Sequence, residues 1–291
     1  MTNPLSDEND LIRLEEGNVY KIAAVQLSPV FLSVEASLKK AGMMCESLDA
    51  DLIVFPELVT SGYAFRSKDD VAAVAEPFPN GKSFRYMRDL SARHNASVVY
   101  GFPESDGDKY YNSAALVNPD GSHYLYRKTH LFYREKLFFS PGDTGLIVCP
   151  AKNKVPVGLM ICFDWQFPEA ARVLALNGAE IICHPSNLVL PWCQQAMLTR
   201  SLENRVFSIT ANRIGTEVIG STSINFTGQS QITSPLGEII QRLSPNLEEI
   251  AVAEINPEAA RDKTVTEMNN LFGDRRPAFY TDILNPRQRQ T

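Results

Sequence analysis

Val157-Gly158-Leu159-Met160-Ile161-Cys162-Phe163-Asp164-Trp165-Gln166-Phe167-Pro168-Glu169 is an almost unbroken apolar run that ends in a cysteine. An acidic-aromatic turn follows, then a proline and a glutamate that open a helix. Strands this apolar have both faces covered, as in α/β proteins. The layout delivers a nucleophile at the end of a buried strand, beside the backbone N–H groups of the next turn and a helix N-terminus.

Working outward, Tyr20 to Leu27 and Asp51 to Phe55 read as further buried strands, the second ending at Pro56-Glu57. Ser33 to Leu48 has helical apolar spacing, with Ser33 as the expected N-cap. Lys82 to His94 reads as a helix and Ala96 to Phe102 as a strand. Asn118-Pro119-Asp120-Gly121 joins two strands in a hairpin. After Cys162 come a helix over 168–177 closed by Gly178, a strand over Glu180 to Cys183, a helix over Trp192 to Glu203, and a strand over Val206 to Ala211. Glu249 to Ile255 closes the sheet, and Pro257 to Phe272 is expected to be helix-like. Alternating strands and helices without an internal linker predict a single-domain α/β sandwich over 19–272. Residues 1–18 read as a leader and 273–291 as a C-terminal tail.

The composition narrows the function. The 291 residues carry a net charge of −6 and no lysine- or arginine-rich tract, which disfavours nucleic acid and anionic membrane as partners. Five cysteines lie at 45, 149, 162, 183 and 193 with no CxxC pair, so neither a disulfide framework nor a zinc knuckle is expected. The polar N-terminus does not resemble a signal peptide. No apolar run approaches the ~18 residues of a membrane span. A cytoplasmic protein without metal or cofactor is the expectation; phosphate-binding glycine loops are also missing.

Taken alone, a strand-end cysteine is more often a small buried hydrophobe than a nucleophile. Glu57 stands where open α/β sheets place their ligands, just past a strand's C-terminal end. Lys128 follows the strand Ser122 to Arg127 in an aromatic setting, with Glu135 after it; a buried ammonium needs such a partner. Together these residues make coherent chemistry. A protonated thiol needs a base as it attacks an sp or sp² carbon, and Glu57 can be that base if apolar surroundings raise its pKa. An ammonium and a backbone N–H can then hold the oxyanion. None of the four histidines has triad context, and His130 and His184 are pocket candidates only.

With those residues in view, the sequence resembles the nitrilase superfamily, the carbon–nitrogen hydrolases, from residue 20 to about 272. The resemblance rests on Val54-Phe55-Pro56-Glu57 with Ser61-Gly62-Tyr63, on Tyr126-Arg127-Lys128-Thr129-His130-Leu131, and on Gly158-Leu159-Met160-Ile161-Cys162-Phe163-Asp164. Tyr111-Asn112-Ser113, Phe139-Ser140-Pro141-Gly142, Glu203-Asn204-Arg205 and Gly228-Gln229-Ser230 support it. The order is the family's, with 128 − 57 = 71 and 162 − 128 = 34 residues between the key positions. It implies a four-layer α-β-β-α sandwich and a catalytic set of Glu57, Lys128 and Cys162, with Glu135 positioning Lys128 or the substrate amide. It further implies an oxyanion site of Lys128 and the Phe163 N–H, a thioester intermediate, and a homodimer formed through Pro168 to Asn177.

The substrate reading is a small aliphatic or ω-amide, because Cys162-Phe163-Asp164 stands where dedicated nitrilases carry Cys-Trp-Glu. Tyr63, Trp165, Tyr133 and Trp192 suggest a narrow aromatic pocket, with Phe163 and Asn187 as further substrate contacts. A nitrile hydrolase, an N-carbamoyl hydrolase served by Arg172 or Arg200, and a non-catalytic interaction module are the rival readings.

Overall fold

The computed structural model describes residues 19–284; the expected leader at 1–18 and the tail beyond 284 lie outside the described residues. In chain order the elements are β1 (Tyr20–Gln26), α1 (Val34–Met44), β2 (Leu52–Val54), α2 (Lys68–Ala72), α3 (Lys82–His94), β3 (Ser97–Asp106), β4 (Lys109–Val117) and β5 (His123–Arg127). The chain then continues through β6 (Val148–Pro150), β7 (Pro156–Leu159), α4 (Pro168–Leu176), β8 (Ile181–Pro185), α5 (Cys193–Asn204) and β9 (Phe207–Ala211). Next come β10 (Thr216–Ile219), β11 (Thr222–Asn225), β12 (Gln231–Thr233), β13 (Ile239–Arg242) and β14 (Glu249–Ile255).

Two six-stranded sheets are built alike, in the orders β14-β1-β2-β3-β4-β5 and β13-β12-β9-β8-β7-β6. Each holds three parallel strands flanked by antiparallel ones. The period of two along a strand sorts the side chains between layers. Ala23, Val25, Ile53, Val98 and Tyr100 face outward onto Leu38 and Ala41 of α1 and Met87 and Leu90 of α3. Ile22, Ala24, Leu52, Val54 and Val99 face inward, in one core with Val157, Leu159, Ile182 and Ile209 of the other sheet. Leu174 of α4 and Met197 of α5 cover that second sheet. The result is the four-layer α-β-β-α sandwich.

Three local expectations change. Ser33 precedes α1 in an extended conformation, but its hydroxyl makes no cap hydrogen bond. The segment after β14 is not a helix: Pro257–Arg261 forms one 3-10 turn, and Thr264–Thr266 then pairs with Asn269–Asn270 as a ribbon. Proline fits the first position of such a turn, whereas the β-branched run Thr264-Val265-Thr266 favours extended backbone. The hairpin β10–β11 was not anticipated from the sequence.

Candidate active site

The candidate reactive side chains Glu57, Lys128 and Cys162 sit just beyond the ends of β2, β5 and β7. Glu57 follows β2 and is fully buried. The turn that carries it lies against Gly101 of β3, where a Cβ would come within 2.6 Å of the Glu57 Cα. The Gly101 N–H donates to the Pro56 carbonyl at 3.2 Å. Lys128 extends the β4–β5 pairing by one residue, its N–H donating to the Asn112 carbonyl at 2.8 Å. Its own carbonyl accepts from Gly142, which must be glycine because a Cβ would lie 2.0 Å from the Arg127 oxygen.

These placements assemble one buried charge cluster. Lys128 Nζ donates to Glu57 Oε1 at 2.6 Å and to both oxygens of Glu135 at 2.9 Å. Asn112 Nδ2 donates to the same Glu57 oxygen at 2.6 Å, and the Tyr63 hydroxyl to Glu135 at 2.9 Å. The other Glu57 oxygen, Oε2, is buried with no protein partner. Burial works against the Lys128 ammonium, but the charges of Glu135 and Glu57 outweigh it and raise its pKa well above the ordinary lysine value. Burial pushes Glu135 up to about 7, with Lys128 opposing and Glu57 reinforcing the shift. Two carboxylates around one ammonium leave a net negative charge out of water, so one of them readily takes a proton.

Cys162 stands in the same field. Burial, then the Glu57 charge, lifts its thiol pKa well above the usual range despite the offset from Lys128, so the resting group is S–H. It begins a short 3-10 turn, Cys162–Gln166, with φ at +40°, a left-handed conformation costing a non-glycine residue about 1–3 kcal/mol. Asp164 holds that bend. Its buried carboxylate accepts from the Ile161 N–H at 2.8 Å, the Tyr126 hydroxyl at 2.7 Å and the His130 ring Nδ1 at 2.8 Å. The first hydrogen bond of the turn runs from the Asp164 N–H to the Ile161 carbonyl, so the Phe163 N–H is left outside the helical ladder.

The pocket residues expected from the sequence divide. Tyr63 reaches Glu135, and the Asn187 backbone lies near enough to Cys162 to oppose the rise of its thiol pKa. The Asn187 carboxamide is buried with neither Oδ1 nor Nδ2 paired in the protein. Phe163 joins an aromatic group with Phe132 at 5.1 Å and Phe167 at 5.5 Å between ring centres. Trp165 packs into the main core instead, and Tyr133 and Trp192 are not walls of a closed pocket: they are 73% and 59% exposed. Tyr133 opens a 3-10 turn and Trp192 directly precedes α5, and aromatic identity alone carries no direction. Arg200 donates to the Trp165 carbonyl and pairs with Glu203, and Arg172 donates to the Glu203 carbonyl, so both serve α5.

Other contributors were not singled out. Asn112 bridges Glu57 and Glu135, and its signal was present in Tyr111-Asn112-Ser113. Arg213, fully buried, pairs with Glu217 at 2.6 Å, whose other oxygen accepts the Tyr63 and Ala64 N–H groups. Neither Arg213 nor Glu217 carries a local pattern that marks it. Among the described residues no group of three or more His, Cys, Asp or Glu is placed to hold a metal ion, and no helix is long and apolar enough to cross a membrane.

Comparison with known proteins identifies the family and the fold. The family model described as carbon-nitrogen hydrolase matches residues 21–263. A protein of Pyrococcus abyssi named nitrilase is 42% identical over 263 residues, 89% of this chain and 98% of its own length. An Arabidopsis thaliana N-carbamoylputrescine amidase is 32% identical over 81% of this chain and 84% of its own. The crystal structure of a carbon–nitrogen hydrolase from Helicobacter pylori G27 superposes with a TM-score of 0.80 at 27% identity, covering 91% of this chain and 98% of that one.

Proposed function

The chain belongs to the carbon–nitrogen hydrolase family of the nitrilase superfamily, enzymes that act on C–N bonds other than peptide bonds, and from that premise we propose that it hydrolyses a small aliphatic or ω-amide to carboxylate and ammonia through a thioester on Cys162. The observation that carries this reading is the fully buried Glu57–Lys128–Glu135 cluster beside a protonated thiol. A thiol that stays S–H until substrate arrives needs a base at the moment of attack. The unpartnered Oε2 of Glu57 suits that role, the other oxygen being held by Lys128 and Asn112.

As Sγ bonds to the carbonyl carbon, the thiol proton passes to Glu57 and the carbonyl electron pair moves to oxygen. Lys128 and the Phe163 N–H stabilise that oxyanion, an interaction typically worth about 3–4 kcal/mol per donor. Collapse expels the amine, which leaves as ammonia with the proton from Glu57. Water, deprotonated by Glu57, then attacks the thioester and returns Cys162. Glu135 fixes the Lys128 ammonium, and the unpaired Asn187 carboxamide offers hydrogen bonds to the substrate.

Two further readings use the same site. The Pyrococcus abyssi relative named nitrilase favours an aliphatic nitrile, whose carbon the same thiol attacks. The N-carbamoylputrescine amidase relative favours a carbamoyl amine, cleaved to the free amine, carbon dioxide and ammonia. Measuring ammonia from small amides, nitriles and N-carbamoyl amines ranks the three. Cys162→Ala is expected to abolish ammonia release and the covalent acyl adduct while leaving the unfolding midpoint nearly unchanged; turnover by that variant would exclude the mechanism.

The proposal includes a cytoplasmic homodimer. Five buried, unpaired cysteines suit a reducing compartment, and Val173 and Leu176 give α4 an exposed apolar strip suited to a second copy. Light scattering of the purified protein tests the dimer; a monomer at micromolar concentration rules it out.

A further inference from the structure

His184, at the end of β8, is fully buried behind the nucleophile and belongs to no step of the mechanism above. Its Nε2 lies 2.8 Å from the Cys162 carbonyl oxygen, and its Nδ1 lies 3.2 Å from the Thr210 hydroxyl on β9. A carbonyl can only accept, so Nε2 carries the ring proton and Thr210 donates to Nδ1. The Ser186 hydroxyl donates to the His184 carbonyl at 3.2 Å and stands 3.1 Å from Nε2, closing the group. Burial lowers the imidazole pKa to about 4, with the Cys162 carbonyl and Asp164 opposing, so the ring is neutral through the ordinary pH range.

The oxygen that His184 holds and the N–H of Phe163 are the two ends of one peptide unit, and that unit is planar. Fixing the carbonyl therefore fixes the direction of the N–H. Hydrogen bonds in such a chain also polarise one another, by about 10–30% per bond, so donation to the carbonyl strengthens the N–H as a donor at the far end. We propose that His184 is a positioning residue for the oxyanion site, with Thr210 behind it: the chain Thr210–His184–Cys162 carbonyl aims and strengthens the Phe163 N–H. It rests on the reading of that N–H as an oxyanion donor. The same bond is a further restraint on Cys162 in its left-handed conformation.

The test separates this role from a merely structural one. In His184→Leu, kcat for propionamide is expected to fall about 10- to 100-fold, with KM within about 3-fold. The affinity for propionaldehyde, whose carbonyl adds Sγ and becomes an oxyanion mimic, should fall by the same factor. Alkylation of Cys162 by iodoacetamide, followed by mass spectrometry, should keep its rate, because displacement at a saturated carbon develops no oxyanion. His184→Gln, which keeps a donor near the Nε2 position, should recover most of the loss. Thr210→Val should cost a smaller factor, about 3-fold, and reports even where His184→Leu does not fold. Unchanged propionaldehyde affinity in His184→Leu or, failing its folding, in Thr210→Val overturns the proposal. So does an alkylation rate that falls in step with kcat. The aldehyde measurement needs no turnover, so it reads His184 even when no amide is hydrolysed; ammonia release alone tests the amidase reading.

Discussion

Arg127 and Lys128 are consecutive cations at the end of β5, and each is surrounded by carboxylates, yet they lead opposite lives. Arg127 turns toward the rim, where its fork reaches Glu104, Asp106 and Asp143 while its guanidinium lies 3.9 Å over the Tyr111 ring. Its outer partners, Asp106 and Asp143, stand in water. Lys128 turns inward, has no exposed side-chain surface, and meets only Glu57 and Glu135. Alternation along an extended chain puts neighbours on opposite faces, so one residue of register separates a structural clamp from the proposed reactive centre. The chemistry follows the difference. A planar guanidinium ties down several partners at fixed angles, whereas a compact ammonium between two buried carboxylates keeps one of them poised to move a proton.

The largest contrast is expected from removing each cation. Lys128→Met leaves two facing buried carboxylates; ammonia release should drop by at least about 10²–10³-fold. Denaturant unfolding of that variant should show a stability loss of about 3–5 kcal/mol. A variant with wild-type turnover would place Lys128 with Arg127 among purely structural cations.

Acidity gives the next effect. Glu135, raised to about 7, is ionised above that pH and neutral below it. Only the ionised form accepts strongly from Lys128 at both oxygens and holds the ammonium in place, so kcat/KM should fall as pH drops through about 7. Glu135→Gln is neutral at every pH; its profile should lose that limb and stay flat at a level about 10- to 100-fold lower. A limb that persists unchanged in the variant would assign it elsewhere.

Arg127→Met should be the mildest. Glu104 is left buried with the Ser113 hydroxyl at 2.6 Å as its remaining donor, a loss of about 1–3 kcal/mol in denaturant unfolding, and turnover should change less than about 10-fold. A loss of activity as deep as that of Lys128→Met would break the contrast between the two positions.

Much of the frame was legible in the chain. Buried strands announce themselves by unbroken apolar runs, and β1, β2, β7 and β9 fall where those runs predict. Glu57, Lys128, Glu135 and Cys162 could be picked out because each sits at a strand end or a fixed interval from one, and the structure brings all four together. Asn112 stands out only within a supporting motif and His184 only as a pocket candidate, since their partners are distant in sequence, and Arg213 and Glu217 carry no signature at all. The aromatic residues show the same limit in reverse. Tyr63 and Phe163 stand at the site, whereas Tyr133 and Trp192 face water and Trp165 faces the core.

What the amino-acid sequence indicated by itself was therefore an α/β sandwich and a set of candidate reactive groups, because hydrophobic period and strand-end position are local properties; the four layers and the catalytic grouping came from the resemblance to a family. Only the tertiary structure decided which charges lose their water and which carbonyl meets which donor. Those depend on two sheets closing over one another, and the closure is what turns Lys128 into a buried counter-ion, Cys162 into a protonated thiol and His184 into the partner of its carbonyl.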